Sequence, residues 1–402
     1  NSFETPNIDL LARRGVSFDN AYSASPTCSP SRASVLTGRH PARLRIVRHI
    51  HNHNESDDPF MLWPSDPAKM PSRNWLPLEE TTIAETLRPL GYHTAFVGKW
   101  HLGHEPYFPV HNGFDVQFGV SSAGHPNSYF APFFKEGCMT YQDVPEGKYL
   151  TDQLTDDAVK YIENNKGEKP FLMTVFYYSA HTPLMAKPEV MDRLKKENPG
   201  KRISPLAGMI ASIDDSVGQI VAALDKRGVG NDTVVCLLGD QGGKSPMRPM
   251  RGTKKGGESL YEGGARIPFI IAGPKIERSV RSGQLASTND VLPTLLELAG
   301  GRPADYPGLD GRSLSGVLHG GPADDSRTIF LYRSYEDQYA AVRNGRWKLI
   351  AYRRGRCELY DVENDISETT DLAAKYPDIV RKIKSALGTW EKKLGVPGEL
   401  VR

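Results

Sequence analysis

The chain has little cysteine, no long apolar run and no bias of charge, and each lack removes a class of protein. Four cysteines in 402 residues, Cys28, Cys138, Cys236 and Cys357, are too few for a disulfide scaffold. Cys236 lies within Val234-Val235-Cys236-Leu237-Leu238, where a free, buried thiol is the expected state. No run of about eighteen apolar residues occurs, so no helical membrane span is predicted. The 50 basic and 48 acidic residues leave a net charge of +2, which gives no bulk attraction to nucleic acid or to a membrane surface. No internal repeat is present. With 39% hydrophobic residues, the chain is long enough for a sizeable core in one large domain or two ordinary ones.

Apolar periodicity alternates between helix and strand. Residues 81–90, 151–164, 205–226 and 290–298 carry helical stripes; the clearest runs through Leu206, Met209, Ile213, Val217, Ile220 and Leu224. Residues 92–97, 171–178, 233–238 and 267–272 read as strands. The continuous apolar runs at 171–178 and 233–238 predict strands buried on both sides. From residue 328 the spacing shortens to strands at 328–335, 339–342, 347–352 and 357–360, then a helix at 377–394. The expected fold is α/β, a mostly parallel sheet flanked by helices over residues 1–324. A smaller antiparallel sheet with a terminal helix is expected over residues 325–402. Residues 39–71 show no period and predict a solvent-facing loop in which His49, His51 and His53 alternate. Residues 104–148 are rich in aromatics, which are expected to pack that loop onto the body.

The most informative stretch is Thr27-Cys28-Ser29-Pro30-Ser31-Arg32-Ala33-Ser34-Val35-Leu36-Thr37-Gly38. Proline near its start and glycine at its end frame a short helix. A cysteine at that helix N-terminus meets unpaired N–H groups and the positive dipole end, and Arg32 adds a fixed charge. This is a setting for chemistry on an anion. Three predicted strands also end in reactive groups: Lys99 with His101, His181, and Asp240 with Gln241. Ligands of open α/β sheets bind beyond such strand ends.

These residues carry a resemblance. Cys28-Ser29-Pro30-Ser31-Arg32 through Gly38 resembles the signature of the type I sulfatases, of the alkaline phosphatase-like superfamily. It is joined by Gly98-Lys99-Trp100-His101-Leu102-Gly103, His181-Thr182-Pro183, Gly239-Asp240-Gln241-Gly242 and Tyr261-Glu262-Gly263-Gly264. The resemblance implies sulfate ester hydrolysis, with a sulfated carbohydrate as the expected substrate. It implies that a formylglycine-generating enzyme converts Cys28 to formylglycine, whose hydrate attacks sulfur and whose second hydroxyl then expels sulfate. Arg32 and Lys99 are expected to stabilise developing charge, and His101 to take a proton from the hydrate. His181 is expected to contact sulfate and protonate the leaving alcohol. Position 28, Asp240 and Gln241 would hold a divalent cation, Ca²⁺ or Mg²⁺.

The family normally carries, before Thr5, a strand ending in two metal-binding aspartates, and that strand is absent from this sequence. Many relatives have Asn where Gln241 stands. The sulfate-binding lysine usually lies five residues before the Glu of Glu-Gly-Gly, a place taken here by Gly257, so Lys255 is assigned to it, with Lys254 as the substitute. The resemblance further implies export to a periplasmic, extracellular or lysosomal compartment. Two other readings stay open: a formylglycine-dependent phosphonate or phosphodiester hydrolase, and a non-catalytic carbohydrate-binding relative.

Overall fold

The structure, a computed structural model, describes residues 3–50, 58–62, 66–135, 141, 143–165, 167, 169–396 and 398. His51, His53 and Cys138 lie outside them. The strand Gly15–Tyr22 follows the helix Pro6–Arg13 and is the hub of a four-stranded sheet. It pairs parallel with Val280–Ser287 and antiparallel with Phe269–Ala272, which pairs antiparallel with Val235–Leu238. A second sheet is wholly parallel and orders Val116–Phe118, His93–Gly98 and Phe171–Phe176.

The expectation that Phe171–Phe176 and Val235–Leu238 are buried on both sides is corrected: both are only partly buried. Each ends its sheet, so no neighbouring strand covers its outer edge among the described residues. Cys236 is accordingly a free, partly exposed thiol.

The helix Pro205–Lys226 begins where its sequence requires. Ser204 Oγ accepts from the Ala207 N–H at 3.3 Å, and Pro205 occupies the first position, where no N–H is needed. This helix is long and apolar enough to cross a membrane by composition, but Ala207, Met209, Ala211, Val217 and Leu224 are buried in the protein. Its neighbour Leu150–Asn164 turns Leu154, Ala158 and Ile162 inward.

The described residues 39–50 do not form a solvent-facing loop. Leu44, Ile46, Val47 and Ile50 are buried, and Leu44, Ile46 and Ile50 join a core with Leu36, Phe96 and Trp100. The apolar residues sit at irregular intervals among polar ones, so no period betrays their burial. The aromatics of the next long connection behave as expected: Phe114, Tyr129, Phe133 and Phe134 are buried against the body.

The strands Thr328–Tyr332, Gln338–Asn344, Trp347–Tyr352 and Cys357–Asp361 form an antiparallel meander. The helix Pro377–Leu394 lays Ile383, Leu387 and Leu394 onto it. A buried ionic cluster joins this sheet to the one built around Gly15–Tyr22. Lys348 Nζ lies 2.8 Å from Glu262 Oε1 and 3.0 Å from Glu368 Oε1. Tyr22 donates to Glu262 Oε2 at 2.9 Å and accepts from Arg343 Nε at 3.0 Å. Burial raises the Glu368 carboxyl to about 7, with Lys348 opposing and Glu262 adding to the shift. Lys348→Met would leave the Glu368 carboxylate buried against Glu262 without the cation between them, while Glu262 keeps Arg266 at 3.1 Å. A loss of about 3–5 kcal/mol is expected in urea denaturation at pH 8.

Candidate active site

The Cys28–Thr37 helix is buried from Ser29 onward although its sequence is polar. Three of its four hydroxyls have partners, and the fourth, Ser31 Oγ, is buried without one. Ser29 Oγ accepts from the Ile50 N–H at 2.9 Å, Ser34 Oγ donates to Ser31 O at 2.7 Å and Thr37 Oγ1 to Ala33 O at 2.8 Å. Cys28 is the first residue of this helix and the one left partly exposed. Thr27 precedes it, and its hydroxyl bonds Tyr335 Oη at 2.8 Å rather than capping the helix.

Arg32 lies one turn inside. It donates to the Lys99 carbonyl at 3.0 Å and to Asp240 Oδ2 at 3.3 Å, and its guanidinium stands 4.9 Å from the Phe176 ring centre. Gln241 Nε2 donates to Cys28 Sγ at 3.2 Å. The turn that holds Asp240 and Gln241 depends on glycine. A Cβ on Gly242 would come within 2.1 Å of the Gly263 carbonyl oxygen, and the Gly242 N–H donates to Gly264 O at 2.9 Å. The Asp-Gln-Gly-Gly and Glu-Gly-Gly motifs therefore pack backbone against backbone.

Lys99 is 2% exposed, and burial lowers its ammonium to about 8, against the raising effect of a Cys28 thiolate. For Cys28, burial works against ionisation, but Lys99, Lys254 and Arg32 outweigh it together with Asp240 and lower the thiol below its usual value. Asp240 is held below the carboxylate range despite burial by Arg32, Lys99 and Lys254.

Two histidines have tautomers fixed by backbone carbonyls, which can only accept. His101 Nε2 donates to Ile50 O at 2.8 Å, so Nδ1 carries the lone pair, and that atom is buried with no hydrogen-bond partner. His101 also sits at φ 57, a left-handed conformation that costs a non-glycine residue about 1–2 kcal/mol. Burial and Lys99 keep its ring neutral. His181 Nδ1 donates to Thr182 O at 2.9 Å, leaving Nε2 as its acceptor, and burial with the charges of Lys99, Lys254 and Lys244 pushes it down to about 3. Its ring stacks on His125, with centroids 5.1 Å apart.

The structure thus brings Cys28, Arg32, Lys99, His101, His181, Asp240 and Gln241 to one place. Lys255 is different: it is exposed, and Lys254 is the residue whose charge acts on Cys28, Lys99, Asp240 and His181. The Lys254 N–H donates to Gly243 O at 2.9 Å, which folds its loop back over the Asp240 turn. Sequence reading also passed over His125, Lys244 and Tyr335. Only Lys244, three residues beyond Gln241, had a signal in its position.

The anticipated metal ligands stand together at Gln241, Cys28 and Asp240, but no cluster of three or more His, Cys, Asp or Glu able to hold an ion occurs among the described residues. Asp240 and the Gln241 amide offer hard oxygen donors, suited to Ca²⁺ or Mg²⁺ as two of the oxygens such an ion needs.

The thiol offers a direct test of this electrostatics. In protein whose Cys28 is unconverted, iodoacetamide should alkylate Cys28 ahead of Cys236, which burial pushes up to about 12. Lys99→Met should slow Cys28 alkylation near neutral pH by roughly tenfold per unit of restored pKa. Unchanged reactivity would mean that Lys99 does not govern this site.

The sulfatase family profile matches residues 1–301, and the C-terminal region of N-sulphoglucosamine sulphohydrolase matches residues 257–393. The chain is 31% identical over 374 residues to N-acetylgalactosamine-6-sulfatase of Mus musculus, covering 86% of this chain and 67% of that protein. It therefore spans about two thirds of the length of that relative. It is 29% identical over 447 residues to arylsulfatase A of Homo sapiens, covering 95% and 82% of the two chains. In three dimensions it is similar to Ps i-CgsB, solved in complex with k-i-k-neocarrahexaose, at a TM-score of 0.80 and 28% identity, over 96% of this chain and 87% of that one. The chain belongs to the sulfatase family, the sulfuric ester hydrolases.

Proposed function

We propose that this protein hydrolyses a sulfate ester of a sulfated carbohydrate, using position 28 as nucleophile after its cysteine has become formylglycine. The observation that carries this reading is the placement of Cys28 at a helix N-terminus amid Arg32, Lys99 and Lys254, with Asp240 the nearby carboxylate. Such a site is built to receive an anion and to stabilise charge that grows on it. The sugar substrate is supported by the relatives' names, which include an N-acetylgalactosamine-6-sulfatase.

In this reading one hydroxyl oxygen of the hydrated aldehyde bonds sulfur as the ester oxygen departs with its electron pair. The second hydroxyl then gives up its proton and forms the carbonyl as sulfate leaves, and water restores the hydrate. His101, with its unpartnered Nδ1 lone pair, takes a proton at position 28. Arg32 and Lys99 hold the oxygens there. Lys254, rather than Lys255, joins Lys99 on the sulfate. His181 must be protonated on Nε2 to serve the leaving alcohol. In the anion-free site the surrounding lysines oppose that charge, and a bound sulfate offsets them. Asp240 and Gln241, with position 28, would hold a divalent cation, Ca²⁺ or Mg²⁺, which supplies Lewis acidity and a template for the sulfate oxygens. The same reading places the protein among exported enzymes, periplasmic, extracellular or lysosomal.

The test is co-expression with a formylglycine-generating enzyme, mass analysis of the Cys28 peptide with hydrazide trapping, and a panel of sulfated sugars with matched phosphate esters. Aldehyde at position 28 with turnover of a sulfated sugar is the expected result. An unconverted cysteine, or faster cleavage of the phosphate ester, would overturn the reading. The pH profile is a separate prediction. Lys99 must be charged to hold sulfate, and conversion removes the Cys28 thiolate that supports that charge, so kcat/KM should fall with rising pH at or below the value of about 8 that Lys99 has beside the thiol. The fall in kcat should lie at higher pH, because the bound anion keeps the lysine protonated.

A further inference from the structure

Lys244 has no part in the reaction described above, yet its ammonium is anchored beside it. Lys244 Nζ donates to Thr182 Oγ1 at 2.6 Å, and the carbonyl of the same Thr182 accepts from His181 Nδ1 at 2.9 Å. The ammonium is therefore fixed next to the histidine assigned to the leaving alcohol. The backbone bond from Lys254 to Gly243 draws the loop carrying Lys254 and Lys255 against the same turn. The charges of Lys254, Lys255 and Lys99 all act on Lys244, and with burial, the largest cause, they lower it to about 8. Among the described residues, Lys99, Lys244, Lys254 and Lys255 form no ion pair with a carboxylate, and Asp240 is already paired with Arg32. A scissile sulfate ester brings one negative charge. That charge meets Lys99 and Lys254, and leaves the ammonium on the leaving-group side unbalanced.

We propose that Lys244, held by Thr182 and backed by Lys255, forms a second anion subsite, so that the substrate is a saccharide with another acidic group near its scissile sulfate. This rests on the sulfatase reading given above for the placement of the leaving group. The acidic group is a second sulfate ester or a carboxylate, both of which a lysine ammonium binds as a point charge. Placed against Thr182, it would also receive the threonine hydroxyl as a donor.

The experiment compares N-acetylgalactosamine 6-sulfate, the 4,6-disulfate, and a disaccharide joining the 6-sulfate to a hexuronate. Binding is measured by calorimetry to protein with unconverted Cys28, and kcat/KM to the converted enzyme, for the native chain, Lys244→Met and Lys244→Arg. The native chain should prefer one of the doubly charged saccharides by about tenfold or more. Lys244→Met should bring that ratio near one, mainly through affinity and KM, and Lys244→Arg should restore most of it. The two doubly charged probes tell sulfate from carboxylate. Equal binding of singly and doubly charged saccharides by the native chain, or a preference that survives Lys244→Met, would overturn the subsite. Binding that depends on Lys244 without turnover would keep the subsite and sink the hydrolase reading. Turnover without charge preference would do the reverse.

Discussion

One guanidinium holds the candidate site together. Arg32 donates to the carbonyl at the end of the strand His93–Gly98 and to the carboxylate that follows Val235–Leu238, and it lies over Phe176 at the end of a third strand. These strands belong to two sheets that share no ladder among the described residues. Backbone pairing alone therefore does not set the distance between Lys99 and Asp240 at this point; a forked side chain from a buried helix contributes to it. Lysine could not replace it, because a single ammonium lacks the planar fork that reaches both acceptors. The Arg32 Nε has no partner and is buried. The guanidinium thus keeps donor capacity beyond its structural bonds.

The antiparallel sheet braces the same helix from the other side. The turn between Thr328–Tyr332 and Gln338–Asn344 reaches the N-terminus of the Cys28 helix. Arg333 donates to Pro26 O at 2.8 Å, and the Tyr335 hydroxyl meets Thr27. Arg48 and Arg333 stand 4.2 and 4.5 Å from the Tyr335 ring centre, so the ring is fixed by two cations. The same turn grips the segment before Glu262, through Ser259 to Glu336 at 2.8 Å and the Leu260 N–H to Gln338 at 2.9 Å. Cys28 and the Glu-Gly-Gly motif are thereby referenced to one hairpin. The antiparallel sheet is part of the architecture of the site and not an appendage to it.

Much of this was legible in the sequence because the informative residues are punctuated. Proline and glycine frame the Cys28 helix, and a long unbroken stripe gives Pro205–Lys226 its limits. The site residues were legible as strand-end clusters, each a short polar motif after an apolar run. The strand Val280–Ser287 was not, since Arg, Ser, Gly and Gln interrupt its alternation and its fitness comes from lying parallel to Gly15–Tyr22. The burial of Ile46 and Ile50 escaped for a similar reason. The placement of Lys254 over Lys255 depends on how a glycine-rich loop folds back to Gly243, and counting residues from Glu262 cannot reveal a backbone hydrogen bond. Tyr335 lies more than three hundred residues from Thr27, and nothing local to either announces the other.

The arrangement also explains why the histidines are neutral where the lysines are charged. Four cations, Arg32, Lys99, Lys244 and Lys254, act on this small region, and Asp240 offsets only part of their field. A further positive charge on His101 or His181 would add to that repulsion, so both rings are held as bases in the anion-free state. An arriving anion reverses the balance. Each negative charge placed among these lysines makes protonation of His181 less costly, while His101, locked by Ile50 with its lone pair at Nδ1, stays the acceptor. One site can thereby present a base and an acid with the same kind of side chain, separated by burial and by distance from the anion. In the proposed reaction the division of roles between His101 and His181 would follow from where the charge enters, with the positive charge of the site left incompletely matched.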